Sequence, residues 1–219
     1  MIIEKTDSLW VFGYGSLTWK PNICYRKKLI GYIKGFKRTF WQGNMYQRGT
    51  KEKPGRVATL VESKNKQVWG VAFEVCGKEN IQDALSHLET RETKLGGYRC
   101  IETQFHPRDT FDNQTINVIC YTATSNNSQY LGPCDTDQMA EQIIWASGTC
   151  GTNSEYVLKL AQFIRDYIPE DEDEHLFDLE GKILEKQNKS WNRKSSVFSQ
   201  TIFDERTLNS SIRSMKLIS

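Results

Sequence analysis

Trp10-Val11-Phe12-Gly13-Tyr14-Gly15-Ser16-Leu17 is the stretch on which the reading of this chain turns. Trp10 to Phe12 are apolar and β-prone, which predicts a buried strand. Two glycines around a tyrosine then predict a sharp turn, since glycine reaches positive φ without steric cost. Such a turn can aim successive backbone N–H groups into one concavity, a cradle for a carboxylate or phosphate. Ser16 adds a hydroxyl. The competing reading is a plain glycine turn closing the first strand.

Working outward, 219 residues of which 38% are hydrophobic and 11% aromatic describe one globular domain with a substantial core. A net charge of +2, without a basic stripe interleaved with aromatics, gives no case for nucleic acid. No apolar run approaches the roughly 20 residues of a membrane span. Met1 to Asp7 lacks the apolar core of a signal peptide, so the expected location is cytoplasmic. Cys24, Cys76, Cys100, Cys120, Cys134 and Cys150 stand singly, which favours reduced thiols over a disulfide framework. Three scattered histidines make a zinc site improbable, and no metal is expected. Nothing in the sequence indicates an oligomeric state.

The first half reads as β, with candidate strands Leu9–Phe12, Leu29–Phe36, Arg38–Gln42, Val57–Glu62 and Gln67–Val75. Asn80 stands where an N-cap would, ahead of Ile81, Ala84, Leu85 and Leu88 at helical spacing, for a helix ending near Glu92. Strands Tyr98–Phe105 and Ile116–Thr122 follow, with Asp112-Asn113 in the turn between them. The remainder is helical. Asp135 and Gln138 resemble a capping box, Asn153 can cap a second helix stopped by Pro169, and Glu170 to Glu174 suit the start of a third. Strands first and helices later predict an α+β fold, a curled sheet or small barrel flanked by helices. From Lys186 onward seven basic residues face only Asp204 and Glu205, so residues 186–219 are expected to form a solvated, flexible tail on a 1–185 domain.

A second segment runs from His87 to Arg99. Glu92 falls near a helix C-terminus, ahead of Gly96-Gly97, where the helix dipole disfavours negative charge. Local rules are broken most often at functional sites. Burial would also raise the carboxyl's pKa toward the range a general acid/base needs. A surface glutamate paired with Arg91 or Lys94 is the competing reading.

The motifs together resemble one family, the ChaC-type glutathione-specific γ-glutamylcyclotransferases. The matching residues are the Trp10–Leu17 stretch with Trp19-Lys20, Arg38–Gly43, Arg48-Gly49, Pro54-Gly55-Arg56-Val57 and Trp69-Gly70-Val71. They continue with Arg91-Glu92, Gly96-Gly97-Tyr98-Arg99, Tyr130–Pro133, Ala140–Ile143, Asn153–Tyr156 and Pro169–Leu176, covering roughly residues 9–185 in unbroken order. The resemblance implies a small closed β-barrel with flanking helices and a lyase that needs no cofactor. In that reaction the α-amine of glutathione attacks its own γ-carbonyl, giving 5-oxoproline and cysteinylglycine. It further implies that Glu92 is the base, that Tyr14, Gly15, Ser16 and Leu17 hold the γ-glutamyl unit, and that Tyr156 donates its hydroxyl to the substrate. Arg56, Arg91 and Arg99 are candidates for a carboxylate clamp, each with a structural ion pair as the alternative, and Asp83 aligns near an acidic position of the family.

Three departures from the family pattern stand out. Thr93-Lys94-Leu95 occupies a gap that usually holds one residue, so the helix is expected to lengthen or the loop to bulge at Glu92. Asn44-Met45-Tyr46-Gln47 and Thr149-Cys150-Gly151-Thr152 also differ, and bear on substrate grip. Rival readings are a cyclotransferase for other γ-glutamyl amino acids or amines, and a non-catalytic ligand-sensing protein on the same fold. A phosphate-binding enzyme is a poor third, because no P-loop or dinucleotide spacing follows Gly13-x-Gly15.

Overall fold

Val11 and Phe12, fully buried, sit on strand β1 (Ser8–Gly13), the first stave of a closed five-stranded barrel. The computed structural model describes residues 8–94, 97–109 and 114–190. β1 runs antiparallel to β3 (Gly55–Cys76), from Ser8 opposite Cys76 to Gly13 opposite Val71. β3 pairs with β2 (Lys27–Asn44), β2 with β4 (Tyr98–Pro107), and β4 with β5 (Ile116–Ala123). A parallel contact of Val11 with Ile119 closes the ring. The α+β class and the barrel are as expected from the sequence.

The barrel has fewer and longer strands than the sequence predicts. Leu29–Phe36 and Arg38–Gln42 belong to the single strand β2, and Val57–Glu62 and Gln67–Val75 to β3. Register shifts between Lys34 and Phe36 and between Thr39 and Gln42 bend the β2 ladder without ending it. Gly35, at φ +84°, sits in the first of these irregularities. A bulge of this kind re-aims a strand and increases its twist, which is what closing a small barrel requires.

Helices α1 (Lys78–Leu88), α2 (Thr136–Trp145), α3 (Asn153–Tyr167) and α4 (174–190) flank the barrel. Met139, Ile143, Leu160, Ile164, Leu176, Leu179 and Ile183 are fully buried among them. Two caps differ from expectation. Gly77, at φ +85°, precedes α1, while Asn80 donates from Nδ2 to the Cys76 carbonyl at 2.9 Å. Thr152 caps α3, its hydroxyl accepting from the Glu155 N–H at 3.2 Å. Asp135 caps α2 as expected, although it accepts from the Asp137 N–H.

Asn153 is instead buried inside α3 and hydrogen bonds both backbone groups of Arg56. Its Oδ1 accepts from the Arg56 N–H at 2.6 Å, and its Nδ2 donates to the Arg56 carbonyl at 2.7 Å. This side chain ties α3 to β3. Asn153→Ala is therefore expected to destabilise the chain by about 1–3 kcal/mol for each backbone group left unsatisfied. Thermal denaturation checks this, and an unchanged Tm would count against the tie.

The predicted turn at Asp112-Asn113 lies outside the described residues. α4 continues through 186–190, where Lys186 Nζ reaches Asp137 at 3.0 Å and Glu141 at 3.1 Å. The rest of the expected tail, from residue 191, also lies outside the described residues. Among the described residues, no helix is long and apolar enough to cross a membrane.

Candidate active site

The turn that leaves β1 forms one wall of a cavity of about 310 Å³. Ser16–Thr18 make a single 3₁₀ turn, closed by the Thr18 N–H donating to the Gly15 carbonyl at 3.0 Å. Neither Gly13 nor Gly15 has a positive φ, contrary to the expected reason for glycine here. What they supply is room. A Cβ on Gly13 would lie 2.6 Å from the Leu17 Cβ, and one on Gly15 would lie 2.8 Å from the Tyr156 hydroxyl. The start of a helical turn leaves its first N–H groups without intrahelical acceptors. Gly15, Ser16 and Leu17, which provide them, all line the cavity.

Glu92 enters from a six-residue π-helical turn, Glu89–Lys94, that continues α1. Such a turn absorbs extra residues within a helix and is frequent at functional sites. The expected lengthening takes this form through Thr93 and Lys94, and Leu95 lies outside the described residues. The Glu92 side chain is only 16% exposed, and its Oε1 lies 3.0 Å from the Arg91 Nε. Arg91 also donates from Nη2 to Ser16 Oγ at 2.7 Å and from Nη1 to the Lys20 carbonyl at 2.9 Å. Thus one guanidinium joins the carboxylate to the β1 turn. Burial lifts the Glu92 carboxyl above its ordinary pKa, and the Arg91 charge works against that rise.

Three buried tyrosines of the cavity differ in one proton. Tyr14 donates its hydroxyl to the Tyr121 carbonyl at 2.6 Å, and Tyr98 donates to the Ala58 carbonyl at 2.6 Å. Tyr156 is the reverse case: its oxygen accepts from the Ala58 N–H at 3.1 Å. Its own proton therefore has no committed acceptor among the described residues. Burial pushes all three phenols above their ordinary pKa, so each stays a neutral O–H. Trp19, edge-on to the Tyr156 ring at 5.6 Å, holds that ring in place.

Of the residues singled out in the sequence, Tyr14, Gly15, Ser16, Leu17, Arg91, Glu92 and Tyr156 come together around this cavity. Arg56 does not. Its buried guanidinium donates to Gln142 Oε1 at 2.7 Å and to the Phe40 and Gly132 carbonyls at 3.1 Å each, which fastens β3 to α2 and to the 130s segment. A neutral acceptor set of this kind makes Arg56 a scaffold residue. Arg99 and Asp83 are exposed and stand outside the cavity. Sequence reasoning gave no role to Arg48, Tyr98 or Trp19, which do line it, and Gln47 and Cys150, from the two segments expected to bear on substrate grip, line it as well. Arg48 carried a signal as part of Arg48-Gly49, but an arginine in a motif does not announce whether it faces a cavity.

A family model described as ChaC-like protein matches residues 9–186 of this chain. The glutathione-specific gamma-glutamylcyclotransferase 1 of Danio rerio is 45% identical over 183 residues, spanning 84% of this chain and 92% of that protein. The Homo sapiens protein of the same name is 44% identical over 170 residues, spanning 78% and 76% respectively. Among solved structures, a gamma-glutamyl cyclotransferase specific to glutathione from yeast superposes with a TM-score of 0.73 at 26% identity, covering 82% of this chain and 97% of that one. By sequence over most of its length and by its barrel, this chain belongs to the ChaC family.

Proposed function

We propose that the chain is a glutathione-specific γ-glutamylcyclotransferase that converts glutathione into 5-oxoproline and cysteinylglycine. The observation that carries this reading is the juxtaposition, in one cavity, of a buried carboxyl of raised pKa with an uncommitted phenol proton.

The reaction needs the substrate to fold back on itself, with its α-nitrogen ~3–3.5 Å from the γ-carbonyl carbon. Arg91 and the leading N–H groups of the 3₁₀ turn suit the α-carboxylate of the γ-glutamyl unit. Glu92 takes a proton from the α-ammonium, whose ordinary pKa near 8 leaves it mostly protonated at neutral pH. The freed nitrogen lone pair forms the new C–N bond and negative charge builds on the γ-carbonyl oxygen, toward which Tyr156 donates. Collapse of this intermediate breaks the bond to the cysteinyl nitrogen, which takes a proton back from Glu92, while the second proton of the new ring nitrogen passes to the released amine, which leaves as ammonium. No water is consumed. A raised carboxyl pKa narrows the gap to the ammonium, by about 1.4 kcal/mol for each unit. Six cysteines that stand as free thiols favour a reducing, cytoplasmic setting.

The direct test is incubation of the purified chain with millimolar glutathione, with both products followed by mass spectrometry. Equimolar 5-oxoproline and cysteinylglycine are expected. No product from glutathione, with product from other γ-glutamyl compounds, would reassign the substrate.

The acid limb of the pH profile gives a second check. Glu92 must be ionised to act as a base, so kcat/KM should rise with pH about a midpoint above the ordinary carboxylate value near 4.3. Arg91→Gln removes the charge that holds that midpoint down, and the limb should move to higher pH. An acid limb that stays in place in Arg91→Gln would break the link between the two residues.

A further inference from the structure

The two sequence segments that depart from the family pattern at 44–47 and 149–152 meet in space. Strands β6 (Ser147–Gly148) and β7 (Gly151–Thr152) form a two-stranded hairpin whose tip lies along residues 46–48. The Thr149 N–H donates to the Tyr46 carbonyl at 3.0 Å, and the Cys150 N–H to the Gln47 carbonyl at 2.9 Å. The packing is backbone to backbone: a Cβ on Gly148 would collide with the Tyr46 carbonyl. Asn44, Gln47, Arg48 and Cys150 together make a second wall of the cavity, built from elements other than those that carry Ser16, Arg91 and Glu92.

Arg48 is the charged group of this wall. Its side chain is 11% exposed. Nη1 donates to the Thr152 carbonyl and to Glu155 Oε2, both at 3.0 Å, and the guanidinium lies over the Tyr156 ring, 5.7 Å from its centre. Glu155 is shared, because Lys159 Nζ holds its other oxygen at 2.6 Å. One carboxylate between two cations leaves the cluster net positive. Nε and Nη2 of Arg48 find no acceptor among the described residues, so a fork of donors is oriented and open.

We infer that Arg48 binds the glycine carboxylate of glutathione and thereby selects the tripeptide over shorter γ-glutamyl compounds. This rests on the cyclotransferase reading above. The Tyr156 hydroxyl faces Gly15 on the first wall, while Arg48 covers the ring of the same tyrosine. The cysteinylglycine half of glutathione spans at most roughly 7 Å when extended. A substrate whose γ-carbonyl meets the Tyr156 hydroxyl can therefore reach Arg48 with its terminal carboxylate. A guanidinium with two free donors matches a carboxylate in a way that a lysine cannot.

The experiment compares glutathione with its glycine monoethyl ester, in the wild-type chain and in Arg48→Gln. Wild type is expected to lose on the order of 10–100-fold in kcat/KM on the ester, mostly in KM, the scale of a hydrogen bond to a charged group. Arg48→Gln should lose a similar factor on glutathione and show little further loss on the ester. Equal use of both substrates by wild type would overturn the proposal without needing the variant to fold. Ester discrimination retained by a folded Arg48→Gln would do the same. If wild type turns over neither substrate, the cyclotransferase reading fails and takes this proposal with it.

Discussion

Glu92→Gln is expected to leave the barrel folded and to cut glutathione turnover by on the order of 10²–10⁴-fold, the usual contribution of a positioned general base. Glutamine keeps the shape of the side chain and can still accept from Arg91 Nε, but it cannot take the ammonium proton. The stability argument runs in the variant's favour. Because burial raises the folded pKa of Glu92, the native state holds, between the unfolded and the folded value, a proton that the unfolded chain has already released. Stability therefore declines as pH climbs from the unfolded carboxylate value through the raised folded one, and the cost persists above it. Glutamine carries no such penalty. Loss of activity with an unchanged or higher Tm at neutral pH is the expected pair of results. Turnover within a few-fold of wild type in a folded Glu92→Gln chain would remove the residue from the role of base.

Tyr156→Phe carries the second large effect. Removing a donor to a developing oxyanion costs on the order of 10²–10³ in kcat. The same change takes the acceptor away from the Ala58 N–H, so some stability is lost as well. Tyr98→Phe separates the two effects. Its hydroxyl is committed to the Ala58 carbonyl, so this variant should lose stability while keeping far more of its kcat. If the two phenylalanine variants lose kcat equally, the uncommitted proton of Tyr156 is not what the reaction uses.

The sequence was readable where structure is local. β1, α1 and the apolar faces of α2 and α3 follow from spacing alone, whereas Glu92 is marked by its position at a helix end but is separated from a surface glutamate paired with Arg91 or Lys94 only by the family resemblance. The barrel was readable only as a tendency. The sequence predicts a break at Lys37, yet β2 runs through it and is only bent at the neighbouring bulge around Gly35, a distinction set by the partner strand. The glycines of the first turn were noticed for the wrong property. Their need for space becomes visible only when Leu17 folds back on Gly13 and Tyr156 reaches Gly15 from 141 residues further along the chain. Arg56 and Arg48 show the same limit. Both sit in motifs, and only their tertiary neighbours separate the one that fastens α2 from the one that faces the cavity.

The contact between Gly15 and Tyr156 also sets an order in time. Proteins are made from the N-terminus, so the β1 turn, Arg91 and Glu92 are synthesised well before α3. A nascent chain that ends short of residue 156 carries the base without the phenol. The site closes only when Asn153 clips α3 onto Arg56 and brings Tyr156 against the first turn. On the proposed chemistry, a chain that ends short of residue 156 lacks the oxyanion donor, and full turnover waits until α3 is in place.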